Sequence, residues 1–264
     1  MNEEQILEAF RRNIAGIATR LEQCSEDSSE SYEYLGQILN SAWVILNDLV
    51  EFEIPEIILV DSWGVPPIYY DKNGRVIIAK TKSLVRSLVV SRRDINVDVV
   101  SILFFMLMHE LGHHQLHVMG VEPRPDVKSS RYLKLYSKFE DYAISRVLRG
   151  DTYRRIEQKV LSFSAIQLCR ILKIELFDRL FDWHLRYLAR TLLSRYIDYV
   201  STVALVIALG YLSLREIVNV SSLPDNIVRF IQIIADDMTR INRNNLLSIP
   251  SISYESWMRC LANT

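Results

Sequence analysis

Glycine and proline are scarce and unevenly placed in this chain, and their distribution limits its fold more than any other feature. Of 264 residues only 8 are Gly and 7 are Pro, and most of them fall in residues 55–74 and 112–125. These two residues punctuate helices and supply most tight turns. The long stretches on either side are therefore expected to be helical, with one irregular central region. An apolar content of 49 % and a charged content of 24 % are those of an ordinary globular protein, which excludes disordered and collagen-like chains. The length allows one large domain or two modest ones, either of which can bury a core.

Hydrophobic spacing fills in the elements. Ile6, Leu7, Phe10, Ile14, Ile17 and Leu21 recur at steps of three and four, which predicts an amphipathic helix over residues 3–23. Asp27 with Glu30 can form a capping box for a second helix, whose apolar face runs from Leu35 to Leu49. After Pro55, β-favouring residues 57–60 and 68–70 flank Trp63-Gly64-Val65-Pro66-Pro67. Asp71-Lys72-Asn73-Gly74 then reads as a hairpin turn, since Asn and Gly tolerate positive φ, with Arg75 to Ala79 as the returning strand. The expected sheet is small and antiparallel. A short helix follows over residues 82–93, and Asp94 or Asn96 is expected to cap the next, which runs to about Val118. Gly120, Pro123 and Pro125 force a loop. A helix from Ser129 or Ser130 ends at Gly150 as its C-cap, and residues 151–244 are helical in period apart from a break at 221–224.

Charge and cysteine content narrow the function classes. Residues 1–62 carry 13 acids and 3 bases, whereas residues 146–196 carry 11 bases and 5 acids. The two segments are expected to complement each other; the alternative is a basic groove for an acidic partner or nucleic acid. No RNP, zinc-finger or Gly-rich phosphate motif accompanies the basic stretch, so a nucleic-acid partner is not expected. Cys24, Cys169 and Cys260 are odd in number and lack CxxC spacing, which fits a reduced, cytoplasmic compartment. The acidic N-terminus does not read as a secretory signal. Tyr199 to Leu214 are 16 residues without charge, but a helix of that length reaches only about 24 Å against a hydrocarbon core of roughly 30 Å. It is expected to be a buried core helix and not a membrane span.

The stretch that carries chemistry is His109-Glu110-Leu111-Gly112-His113-His114-Gln115-Leu116-His117, which contains HExxH. On a helix, residues four apart share a face, so His109 and His113 can bind one zinc ion while Glu110 flanks its open side as general base. By chance the motif occurs in a chain of this length about once in 150. The mostly apolar run before it predicts a buried helix, in which ionisable groups need partners. A catalytic zinc needs a third protein ligand. His117 lies roughly 12 Å along the helix from His109, too far to share an ion, and the metzincin pattern is absent, with Leu116 and Met119 at its Gly and His positions. His114 and His117 are expected at the surface or supporting the ligands. The third ligand is expected from the next helix. Glu140 is the first candidate, Asp141 its competitor, and Glu122 in the Pro-containing loop a distant third. Tyr136, Tyr132 and His184 are candidates for stabilising the oxyanion.

These residues resemble the gluzincin class of zinc metallopeptidases, and more narrowly the ImmA/IrrE-type peptidases, whose active helix often reads HELGHxxLH. Such families take a glutamate from a following helix in an ExxA or EAxxFA setting, and Glu140-Asp141-Tyr142-Ala143 matches the shorter form. The Asp or Asn that commonly follows that glutamate has no clear counterpart, since Ile144 occupies one such position. The resemblance covers residues 55–148. It implies a Zn2+ cofactor, a cytosolic protease acting on a protein such as a DNA-binding repressor, and a sheet whose edge strand, here Arg75 to Ala79, meets the substrate backbone.

The resulting expectation is a mainly α protein with a small antiparallel β-sheet, an α+β arrangement. Residues 1–150 form a zincin-like metallopeptidase domain with two N-terminal helices, and residues 151–264 a helical C-terminal region. The expected reaction is peptide-bond hydrolysis by a zinc-activated water with Glu110 as base. The alternatives are a helical regulatory or scaffold protein with a structural or degenerate zincin-like site, and a membrane-embedded peptidase built around Tyr199 to Leu214.

Overall fold

The computed structural model describes residues 2–24, 28–50, 52–180 and 185–262. The chain is mainly helical with one three-stranded sheet, and it divides into two compact units. One is Met1–His117 with Arg149–Glu157; the other is Val118–Leu148 with Gln158–Thr264.

In the first unit, α1 (Glu3–Gln23) opens on a reciprocal capping box between Asn2 and Gln5 and buries Ile6, Phe10, Ile14 and Leu21, as its spacing predicts. α2 (Ser29–Leu49) packs on α1. Its cap is Ser28, whose hydroxyl accepts from the Ser31 N–H at 3.1 Å. This replaces the expected Asp27–Glu30 box, because Ser28 stands directly before the first turn and its short side chain reaches the third amide; Asp27 itself lies outside the described residues.

The sheet comprises β1 (Ile57–Val60), β2 (Ile68–Asp71) and β3 (Val76–Lys80) in the order β1-β3-β2. β2 and β3 are antiparallel, whereas β1 and β3 are parallel. The sheet is therefore mixed, not antiparallel, and β3 is its central strand, so Arg75 to Ala79 is not an edge open to a substrate. The physical reason lies in the two connections. The four-residue turn after β2 forces β3 alongside it, while segment 61–67 reverses the chain but skips one strand position, into which β3 inserts.

The hairpin turn also closes differently from expectation. The Asp71 carboxylate accepts from the N–H groups of Asn73 and Gly74 at 3.2 and 3.1 Å, and the left-handed residue is Arg75, with φ 53°. A Cβ at residue 74 would lie 3.0 Å from Asp71 Oδ2 and 3.2 Å from Val76 Cγ2, a tight fit in which these side chains would have to give way.

α3 (Thr81–Ile95) ends on Asn96 in the left-handed conformation, so Asn96 closes this helix and does not open the next. α4 (Val99–Val118) is opened by Asp98, which accepts from the Ser101 N–H at 2.8 Å and its hydroxyl at 2.7 Å. Ile102, Leu103, Phe104, Leu107 and Leu111 of α4 are buried; each such side chain contributes about 1.5–3 kcal/mol of burial. Phe10 of α1 meets Phe104 edge-on at 6.0 Å. This apolar first half anchors α4 and frees its second half for polar work.

In the second unit, α5 (Ser130–Ala143) starts on Ser129 and passes into a π-helical turn, Ile144–Leu148. Gly150 does not form the expected left-handed cap, since it is absent from the positive-φ glycines. A Cβ there would lie 3.2 Å from Glu3 Oε2, the far end of a side chain of α1. α6 (Asp151–Leu180), whose residues up to Glu157 belong with Arg149 and Gly150 to the first unit, follows, and then, in the second, α7 (Leu185–Ala208), α8 (Leu214–Ser221), α9 (Asp225–Met238) and α10 (Ile249–Ala262). Val200, Val203, Ala204 and Val206 of the uncharged stretch are fully buried, as expected of a core helix, but the stretch is not one helix: α7 ends at Ala208, Gly210 turns the chain with φ 76°, and α8 begins only at Leu214. Among the described residues no single helix is long and apolar enough to cross a membrane. α7 packs on α5 and α9, and α10 on α5 and α9. Buried Asp237 of α9 ties α10 in place through Arg259, and also pairs with Arg240 at 3.3 Å.

Candidate functional site

The four-residue step of HExxH places His109 and His113 on one face of α4, with ring centroids 4.8 Å apart at 83°. Their Nε2 atoms lie 3.2 Å from each other. That separation serves a hydrogen bond between the rings. It also suits two nitrogens each about 2.0–2.1 Å from one tetrahedral zinc, which stand about 3.3 Å apart. The donor chemistry and spacing of the pair thus fit zinc.

The outer nitrogen of His109, Nδ1, lies 3.0 Å from the Tyr153 hydroxyl. Tyr153 comes from the first turn of α6, is fully buried, and stacks on Phe105 at 5.3 Å and 26°. Phe105 sits one turn before His109 on α4. The Tyr153 N–H donates to Glu3 Oε2 at 3.3 Å. Beside it, Arg149 Nε donates to the Met108 carbonyl at 3.0 Å; burial lowers the Arg149 pKa, against the opposing charge of Glu3. Arg155 lies 3.7 Å from Glu4, so the acidic N-terminal helix and the start of the basic stretch meet at this point.

Glu110 is buried at 8 % exposure, and its Oε2 accepts from the Tyr70 N–H at 2.7 Å. Residue 70 is a non-hydrogen-bonded position of the β2–β3 ladder, so its N–H points outward from the sheet. The bond orients the carboxylate from the edge of β2. The Tyr70 hydroxyl lies 2.9 Å from His117 Nδ1 and 3.1 Å from His114 Nδ1, and His114 Nε2 lies 3.0 Å from the Glu53 carbonyl. A carbonyl only accepts, so His114 Nε2 carries the proton in the neutral ring. Its Nδ1 then accepts from the Tyr70 hydroxyl, and the phenol oxygen accepts from His117 Nδ1–H. Burial lowers the His114 pKa and raises that of Tyr70, both of which favour this neutral chain. His114 and His117 therefore fasten β2 to α4.

Glu140 and Asp141 belong to the second unit. Glu140 is buried at 2 % exposure and interacts with the Tyr136 hydroxyl one turn earlier on α5. Burial first, and then the Glu140 charge, push the Tyr136 phenol well up. Asp141 is also buried and pairs with Lys138 at 3.0 Å, raising the lysine pKa. Tyr132 donates its hydroxyl to the Pro250 carbonyl at 3.1 Å, which ties α5 to α10. Glu122 is exposed in the loop after α4, and His184 lies outside the described residues. The three cysteines are free, and burial pushes the Cys169 thiol up to about 11 and that of Cys260 up to about 12, which leaves neither as a thiolate nucleophile near neutral pH.

Sequence reasoning missed Tyr70 and Tyr153. Tyr153 is 44 residues from His109, and Tyr70 is 44 and 47 residues from His114 and His117, and neither tyrosine belongs to a spacing pattern that links it to α4. The one available signal was general: a buried tyrosine seeks a partner for its hydroxyl. No known protein family matches this chain, and no curated protein or solved structure is significantly similar to it.

Proposed function

We propose that this chain is a zinc-dependent metallopeptidase of the zincin type, resembling the ImmA/IrrE-type peptidases and acting in the cytoplasm on a protein or peptide substrate. The observation that carries the reading is the pair of converging Nε2 atoms of His109 and His113, 3.2 Å apart, on the same turn of helix as Glu110. In this reading His109 and His113 hold the ion through Nε2, and α5 supplies a carboxylate as third ligand, Glu140 or its neighbour Asp141. When bound, zinc supplies the Lewis acidity that acidifies a water and polarises a peptide carbonyl. Glu110, whose carboxylate is steadied by the Tyr70 N–H, would serve as the general base that holds a proton and passes it to the leaving amine. Three free thiols fit a reducing compartment.

One observation favours a second reading, a helical regulatory or scaffold protein that holds the metal structurally: Glu110 is buried and engaged by β2. Glu110→Gln in the full chain separates the two. For a peptidase, hydrolysis of a mixed peptide library falls by at least about a hundredfold while zinc is retained. Unchanged hydrolysis by the zinc-loaded variant overturns the proposed mechanism, and absence of turnover in the zinc-loaded wild type supports the structural reading.

A further inference from the structure

We infer that Tyr153 is a positioning residue of the metal centre, fixing the tautomer and ring orientation of His109 through its outer nitrogen; the inference rests on the zinc reading above. Two observations and one general property of metal-bound histidines converge on it. The Nε2 of His109 faces His113, so a metal ligand from this ring must be Nε2, and Nδ1 must then carry the ring proton and donate it. The atom that stands where this donation goes is the Tyr153 hydroxyl, at 3.0 Å. Metal-bound histidines characteristically give their second N–H to an acceptor that holds the ring, most often a carboxylate, a carbonyl or water, and here a phenol oxygen takes that place.

The acceptor is itself held on three sides. Its ring stacks on Phe105, one turn before His109, so the helix that carries the ligand also sets the position of its partner. Its backbone N–H is taken by Glu3, which ties the start of α6 to the N-terminal helix. It is fully buried, which excludes water as a competitor for His109 Nδ1 from that side. Burying a phenol beside an imidazole without pairing it would be costly, and the bond to Nδ1 removes that cost while restricting the imidazole to one rotation. The sequence segment that the HExxH pattern leaves without a role, the opening of α6, thereby becomes part of the site.

Tyr153→Phe in the full chain tests this, because phenylalanine keeps the ring and its stacking and removes only the hydroxyl. Zinc affinity is measured by competition with a chromophoric chelator, alongside far-UV circular dichroism. Weakening on the order of tenfold to a hundredfold with an unchanged spectrum is expected. Affinity within about twofold of wild type overturns the inference and leaves the zinc reading standing, whereas a wild-type chain that takes up no zinc overturns both. A second measurement needs no variant: 15N-edited NMR of histidine in the zinc-loaded wild type. His109 should show a protonated, slowly exchanging Nδ1 and a metal-bound Nε2. Coordination through Nδ1, or a rapidly exchanging Nδ1 proton, contradicts the role given to Tyr153.

Discussion

α4 carries two pairs of histidines within nine residues, and they are put to opposite uses. In His109 and His113, four residues apart, the Nε2 atoms face each other, so two lone pairs can converge on one point. In His114 and His117, three residues apart, both Nδ1 atoms meet the single hydroxyl of Tyr70, and the inner ring spends its other nitrogen on the Glu53 carbonyl. Ring count therefore says little about ligand capacity. What matters is whether a neighbouring strand supplies a phenol that consumes the nitrogens. The second pair attaches β2 to α4, and through the same residue β2 places an N–H against Glu110, so the fastening pair supports the pair with open chemistry.

The contrast can be tested by removing one member at a time. His113→Ala should reduce zinc content to background, whereas His117→Gln should keep the wild-type stoichiometry; loss of zinc from both variants, measured by elemental analysis, would erase the distinction. Next in size is the third ligand. Either Glu140→Gln or Asp141→Asn should weaken zinc binding by more than about a hundredfold, the other far less, by chelator competition. Equal and negligible effects would remove α5 from the site.

Tyr70→Phe acts on the other pair. It leaves the buried Nδ1 of His114 without its donor, which should cost about 1–3 kcal/mol of stability in urea unfolding while zinc stoichiometry is unchanged. A loss of zinc would mean that the two pairs are not separable.

The smallest effect is on pH dependence. Burial lowers the folded pKa of His114 below its ordinary 6.5, so on acidification the unfolded ring takes up its proton first. The associated stability is complete above pH 6.5 and is lost as pH falls through the lowered folded value. Urea midpoints of the metal-free chain between pH 7.5 and 5 should fall less steeply in His114→Gln than in wild type; identical slopes would show that His114 is not held neutral.

How far the sequence anticipates this arrangement depends on the range of the interactions. α1, the helix bearing HExxH and the β2–β3 hairpin follow from patterns within a few residues of each other, and all three form where expected. The caps lie one to four residues from where they are expected, at Ser28 instead of Asp27 and at Asp98 instead of Asp94 or Asn96, because several short polar side chains compete near each helix start and only the folded backbone selects among them. The parallel pairing of β1 with β3 is non-local, and no periodicity reports which strand takes the middle position. α10 (Ile249–Ala262) falls inside the expected helical C-terminal region, but the helical period is traceable only to residue 244, and Pro250, a residue that often occupies the first turn of a helix, is the one local sign of where α10 starts. The two tyrosines that meet the histidines are set by tertiary packing, which is why the approach of His109 to His113 is legible in the sequence while the partners of their rings are not.

The decisive quantity is the zinc content of the purified chain, determined by elemental analysis after dialysis against a zinc-buffered solution. One zinc per wild-type chain, falling to none in His109→Ala, is expected. A wild-type chain without zinc, or an equal content in His109→Ala, would contradict the assignment of His109 and His113 as a metal-binding pair.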